Sequence, residues 1–202
     1  LAESTFSTFL PGSQISKIGN GRLRVSEAAT DVQEVLAECE RLRAITRGSF
    51  DHYADGRLDP AGYVKGWAVD RAAEGLEAAG LSDYMIWAGG DVRVGGHPSD
   101  TDAWTIGIRD PETADQAIDH VDLVAGAIAT SARYERGDHI RGACDTNLAS
   151  VSVVGPELGL ADALSTAIFS AGMQAIDWLA EFPAYDVIAV TSDRRVLRTT
   201  PR

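Results

Sequence analysis

The chain has 202 residues, 45% hydrophobic and 24% charged, which suits a single domain with a full core. Its formal net charge of −12 argues against nucleic acid or an anionic membrane surface as the main partner. No apolar run of about 18 residues occurs, so no transmembrane segment is expected. No secretory signal is visible; the expected location is cytoplasmic, or extracytoplasmic should a leader precede Leu1. Cys39 and Cys144 lack metal-type spacing: Cys39 falls in a helical pattern as a small core residue, and Cys144 in a polar stretch as a free thiol.

In chain order, Pro11-Gly12, Gly19-Asn20-Gly21 and Asp55-Gly56 are turn signals. Residues 26–46 read as a helix, with Ala29, Val32, Leu36, Cys39 and Leu42 at helical spacing and Ser26 able to cap. Residues 62–80 give a second helix striped by Val64, Ala68, Ala72, Leu76 and Ala79 and stopped at Gly80. The period then changes. Short strands are predicted at 84–88, 104–108, 121–124, 127–130, 151–154, 187–190 and 196–198, the last pair joined by a turn at Ser192, Asp193 and Arg194. A third helix covers 155–172, and another follows near 173–181. Helices interspersed with hairpin-like strands favour an α+β fold of mostly antiparallel sheet over a doubly wound parallel one.

Four segments carry chemistry. In 58–72, Asp59-Pro60-Ala61-Gly62 runs straight into a helix, whose unpaired N–H groups favour phosphate. Lys65 follows where the helix dipole disfavours a cation, so a bound anion or a plain surface lysine explains it equally well; Gly66 permits a close approach. In 85–96 a strand ends at Gly89-Gly90-Asp91, either a hairpin turn or a place where a ligand meets backbone and the Asp91 carboxylate. In 127–140, Thr130 and Ser131 close a strand and offer hydroxyls, followed by Tyr134, Arg136 and His139; His139 is either a solvated loop residue or a general base. In 155–172, Asp162 and Thr166 lie one helical turn apart amid Leu160, Ala161, Ala163, Leu164, Ala167, Ile168 and Phe169. Buried there, a carboxylate and a hydroxyl need partners. A small hard cation such as Mg²⁺ satisfies both; an Asp favoured in the first turn and a Thr bonded to backbone is the structural alternative.

Taken in this order, the segments resemble the ApbE family, flavin transferases that move FMN from FAD to a protein. The resemblance covers nearly the whole chain. It rests on 6–20 (FSTFLPGSQISKIGN), on Gly48-Ser49-Phe50-Asp51, on Asp59 through Asp70 with Lys65-Gly66, and on Gly89-Gly90-Asp91. Thr130-Ser131, His139-Ile140 and the 160–172 helix complete it. Single motifs are weak; together and in register they are specific.

The resemblance implies that Asp162 and Thr166 hold Mg²⁺ together with a backbone carbonyl at Gly62. Phe9 takes the place of an aromatic that packs on the flavin, where the family often has Tyr. Asp59, Lys65, Gly89, Gly90, Asp91, Thr130 and Ser131 are implied to line the FAD site. His139 and Asp91 form the catalytic group, with His139 assisting deprotonation of an acceptor threonine or serine in an S/T-G-A-T-like site. AMP leaves.

Three departures stand out. A D-P-x-T-G turn usual in the family just after the His-Ile pair is absent from 141–146, Ala132 replaces a glycine, and a short N-terminal region of the family is expected to be missing. The changed loop keeps two alternatives in view: a non-catalytic FAD-binding protein, and an FAD pyrophosphatase giving FMN and AMP.

Overall fold

A computed structural model describes residues 2–54, 56–113, 115–132 and 147–199. Two short helices, α1 (Ala2–Phe6) and α2 (Gln14–Gly19), precede the long α3 (Thr30–Ile45), the small ribbon β1 (Tyr53–Ala54) and β2 (Arg57–Leu58), and α4 (Ala61–Ala78). Then come β3 (Tyr84–Ala88), β4 (Asp91–Gly95), β5 (Trp104–Arg109), β6 (Ala117–Leu123), β7 (Gly126–Ala132) and β8 (Leu148–Gly155). Helix α5 (Leu158–Ala171), a 3-10 segment (Met173–Glu181), β9 (Asp186–Thr191) and β10 (Val196–Arg198) follow.

Six strands form one sheet in the order β10-β9-β8-β7-β4-β3, every pair antiparallel. The expected α+β class with mostly antiparallel sheet is therefore the observed one. Alternation assigns the two faces. Ala127, Ala129, Val151, Val153, Val187 and Ala189 join the main core with α3, α4 and α5. Ile128, Ile188, Val190, Val92 and Val94 face the other way, where the β5–β6 ribbon covers them through Ile108, Trp104 and Ile106. Helix α5 is apolar nearly all round, as a helix buried between other elements must be.

Several local expectations change. Helix α3 begins at Thr30, not at Ser26, because residues 25–27 form a separate 3-10 turn and Gln14 takes the Ala29 N–H at 2.8 Å. The segment 173–181 is 3-10 rather than α-helical. Strand β4, continuing past the Gly-Gly turn, goes beyond the predicted strands. Cys39 is free and fully buried, and desolvation pushes its thiol up to about 12, consistent with a core role. No helix among the described residues is long and apolar enough to cross a membrane.

Candidate functional site

The site is assembled where α4 crosses the start of α5. Gly66 makes the crossing possible: a Cβ there would lie 2.5 Å from the Leu158 carbonyl carbon and 2.6 Å from the Gly159 nitrogen. The close approach anticipated at Gly66 is thus made by another helix rather than by a ligand. One turn later on α4, Asp70 receives the Leu158 N–H and the Gly159 N–H, each at 2.9 Å, one on each carboxylate oxygen. It caps α5 from a different element and satisfies two of the donors every helix start leaves open. Burial pushes the Asp70 carboxyl above its ordinary range, against the pull of those two N–H groups and of Arg93.

That junction fixes Lys65 and Asp162 on facing helices. Lys65 Nζ stands 2.5 Å from Asp91 Oδ2 and 3.4 Å from Asp162 Oδ2. Asp91 is 1% exposed and Asp162 2%. Charges so deep are tolerated only when paired. Asp91 is held further by the Thr130 N–H, which donates to its Oδ1 at 3.1 Å. Burial works against the Lys65 charge, but Asp162 and Asp91 together outweigh it and raise the ammonium above its ordinary value. Lys65 is the fifth residue of α4, and these two carboxylates are its ion-pair partners in the protein itself. Asp162 is likewise the fifth residue of α5, beyond the first turn in which the structural reading had placed it.

Hydroxyl groups line the adjoining face. Ser131 Oγ lies 3.0 Å from Ser165 Oγ and 3.2 Å from Thr166 Oγ1, and Ser165 donates to the Asp162 carbonyl at 2.9 Å. Thr130 Oγ1 and Ser152 Oγ pair at 2.8 Å. Ser131, 2% exposed, is therefore turned into α5 rather than toward open space.

The remaining predicted residues are distributed as follows. Gly89 and Gly90 (φ +58° and +96°) make the two-residue turn of the β3–β4 hairpin and deliver Asp91 to the first position of β4. Asp59 Oδ1 accepts the Ala61 N–H at 3.1 Å, shaping the entry to α4, and Gly62 follows against the Phe50 ring. Phe9, 88% exposed, presents a bare aromatic ring. His139, with Cys144 and the changed loop, lies outside the described residues.

The ApbE family model matches residues 52–189, which holds Asp59, Lys65, Asp91, Asp162 and Thr166. The chain belongs to the ApbE family. FAD:protein FMN transferase of Rhodobacter capsulatus is 35% identical over 160 residues, covering 71% of this chain and 30% of that protein. The protein of the same name from Treponema pallidum is 30% identical over 197 residues, covering 82% of this chain and 54% of its own length. This ApbE chain thus spans between about a third and about half of these two relatives. Among solved structures, the ApbE protein of Thermotoga maritima superposes with a TM-score of 0.81 over 98% of this chain and 84% of its own, at 23% identity. The flavin transferase ApbE of Vibrio cholerae gives 0.76 at 20% identity, over 98% and 83%. At such identities these likenesses establish the fold.

Two contributors to the ApbE site are not marked as such by the sequence. Asp70 falls inside a matched motif, but its partners are backbone groups 88 and 89 residues away. Ser165 left one weak signal, a hydroxyl three residues after Asp162 on an apolar helix.

Proposed function

We propose that this chain transfers FMN from FAD to a threonine or serine hydroxyl of a target flavoprotein, with Mg²⁺, releasing AMP. The observation that carries the reading is the pair of buried carboxylates, Asp91 and Asp162, meeting one ammonium beside a bank of hydroxyls. Asp162 and Thr166, one turn apart on α5, are the oxygen donors a small hard cation takes. Among the described residues no group of three or more His, Cys, Asp or Glu converges, so the donor set is one of carboxylate, hydroxyl and, as the family resemblance implies, the Gly62 carbonyl. That modest set suits Mg²⁺, which binds through one or two carboxylates and completes its shell with phosphate and water. Once bound, Mg²⁺ would neutralise charge on the pyrophosphate.

The chain's own residues do the rest. Lys65 adds a second positive charge from α4, on a side chain that is 41% exposed. Phe9 offers an uncovered ring for stacking on the flavin. The acceptor hydroxyl oxygen attacks the FMN-side phosphorus, its proton passes to His139, and the bond from that phosphorus to the bridging oxygen breaks as AMP departs. FMN remains as a phosphoester on the acceptor.

One incubation tests the reading: FAD, Mg²⁺ and an acceptor domain with an S/T-G-A-T-like site. Covalent flavin fluorescence on the acceptor, with AMP in solution, is expected. Free FMN and AMP with no labelled acceptor would make the protein a pyrophosphatase, and bound, unchanged FAD would make it a carrier.

A further inference from the structure

Asp162 Oδ2 faces two claimants. It lies 3.4 Å from the Lys65 ammonium, and Asp162 is also the carboxylate that would hold the metal. Two cations on one carboxylate repel each other strongly at such range. Asp91 is the less movable partner, since its Oδ1 is tied to the β7 backbone through the Thr130 N–H. Lys65 is the more movable one: its side chain is 41% exposed and its charge rides on a flexible four-carbon stem. Nothing else described in the ApbE site combines charge with that freedom.

We propose that Lys65 is a movable counter-cation that couples metal binding to pyrophosphate binding. A divalent cation on Asp162 displaces the ammonium from that oxygen, and the positive charge turns to the incoming anion while keeping its ion pair with Asp91. The metal then strengthens FAD binding twice, by its own charge and by freeing Lys65. By linkage FAD strengthens metal binding by the same factor. This inference rests on the flavin-transfer reading with Asp162 as a metal ligand.

The test measures Mn²⁺ binding by electron paramagnetic resonance on the full chain without nucleotide. Lys65→Met is expected to bind Mn²⁺ about tenfold more tightly than the wild type, since the competing cation is gone. Lys65→Arg, which keeps the charge, should stay near the wild type, and Asp162→Ala should lose binding. A second arm follows FAD by flavin fluorescence before turnover. Lys65→Met should weaken FAD about tenfold at saturating Mn²⁺ and less than about threefold in EDTA, where the ammonium stays with its carboxylates. Equal or weaker Mn²⁺ binding by Lys65→Met, with Asp162→Ala still defective, overturns the coupling and leaves the metal site standing. Mn²⁺ binding undiminished in Asp162→Ala, or absent from the wild type and Lys65→Met alike, overturns the metal reading and the coupling with it. Circular dichroism checks the fold, and Lys65→Gln replaces Lys65→Met if that variant does not fold.

Discussion

Carboxylates wholly or largely withdrawn from water are the recurring device at the residue scale. Asp70, Asp91 and Asp162 each hold a carboxylate near the α4–α5 crossing, and each is answered by particular groups: two backbone N–H donors, a Thr130 N–H with an ammonium, and that same ammonium again. His52 is a different case. Its ring is buried, 3.7 Å from Glu40 and 4.7 Å from the Tyr53 ring, and desolvation lowers its pKa from the ordinary 6.5 despite the pull of Glu40 and Asp51. The unfolded chain therefore takes the proton first. Stability from this group is complete above about pH 6.5 and is lost as pH falls through the lowered folded value. Urea midpoints followed downward from neutral pH should drop in that window, and His52→Asn should flatten the drop. An unchanged pH profile in the variant would remove His52 from the acid response. The Asp162/Thr166 pair was legible in sequence because both residues sit four apart in an apolar run. Asp70 and Ser165 were not, because their partners come from distant segments that no local period reports.

At the scale of elements, the α4–α5 crossing matters most. Gly66 and Gly159 bring the two helices into backbone contact, and a Cβ at Gly66 meets main-chain atoms that cannot rotate away. Gly66→Ala should therefore cost about 2–3 kcal/mol, the upper range for overpacking, read as a lowered Tm. It should also weaken Mn²⁺ binding, since it pushes Asp162 away from α4. A variant as stable as the wild type would show that the crossing has slack. Element types were largely readable: 84–88 and 196–198 appear as strands with their expected bounds, while the helix expected over 155–172 is α5 at Leu158–Ala171, since Gly155 closes β8. Boundaries failed where a distant group decided them. Ser26 looked like a cap, but Gln14 holds Ala29 and moves the start of α3 to Thr30. The hairpin turn at Gly89 and Gly90 is one of two readings the sequence allows, but the strand it leads into is not legible there because Asp91 and Arg93 interrupt its apolar run.

For the whole molecule, one antiparallel sheet separates two cores, and the site forms on the helical side, where β4, β7 and α5 converge. The antiparallel α+β class followed from the interspersed pattern of helices and strands; the assignment of the β5–β6 ribbon to the far face did not, since among the described residues that ribbon pairs only with itself. A net charge of −12 also acts at this scale: under the proposed function it would repel an anionic dinucleotide. Raising ionic strength from about 0.01 M to about 0.15 M shortens the screening length from about 30 Å to about 8 Å. At fixed free Mg²⁺ the FAD association rate should therefore rise with salt. A falling rate would mean that Lys65 and its neighbours steer the ligand against the global field.

The most direct measurement counts AMP released and acceptor labelled, with FAD and Mg²⁺, for the wild type and Asp162→Ala side by side. Transfer at this site requires the two products to appear in equal amounts with the wild type and both to vanish with Asp162→Ala. Labelling that persists in Asp162→Ala, or AMP that accumulates with no labelled acceptor, would contradict it.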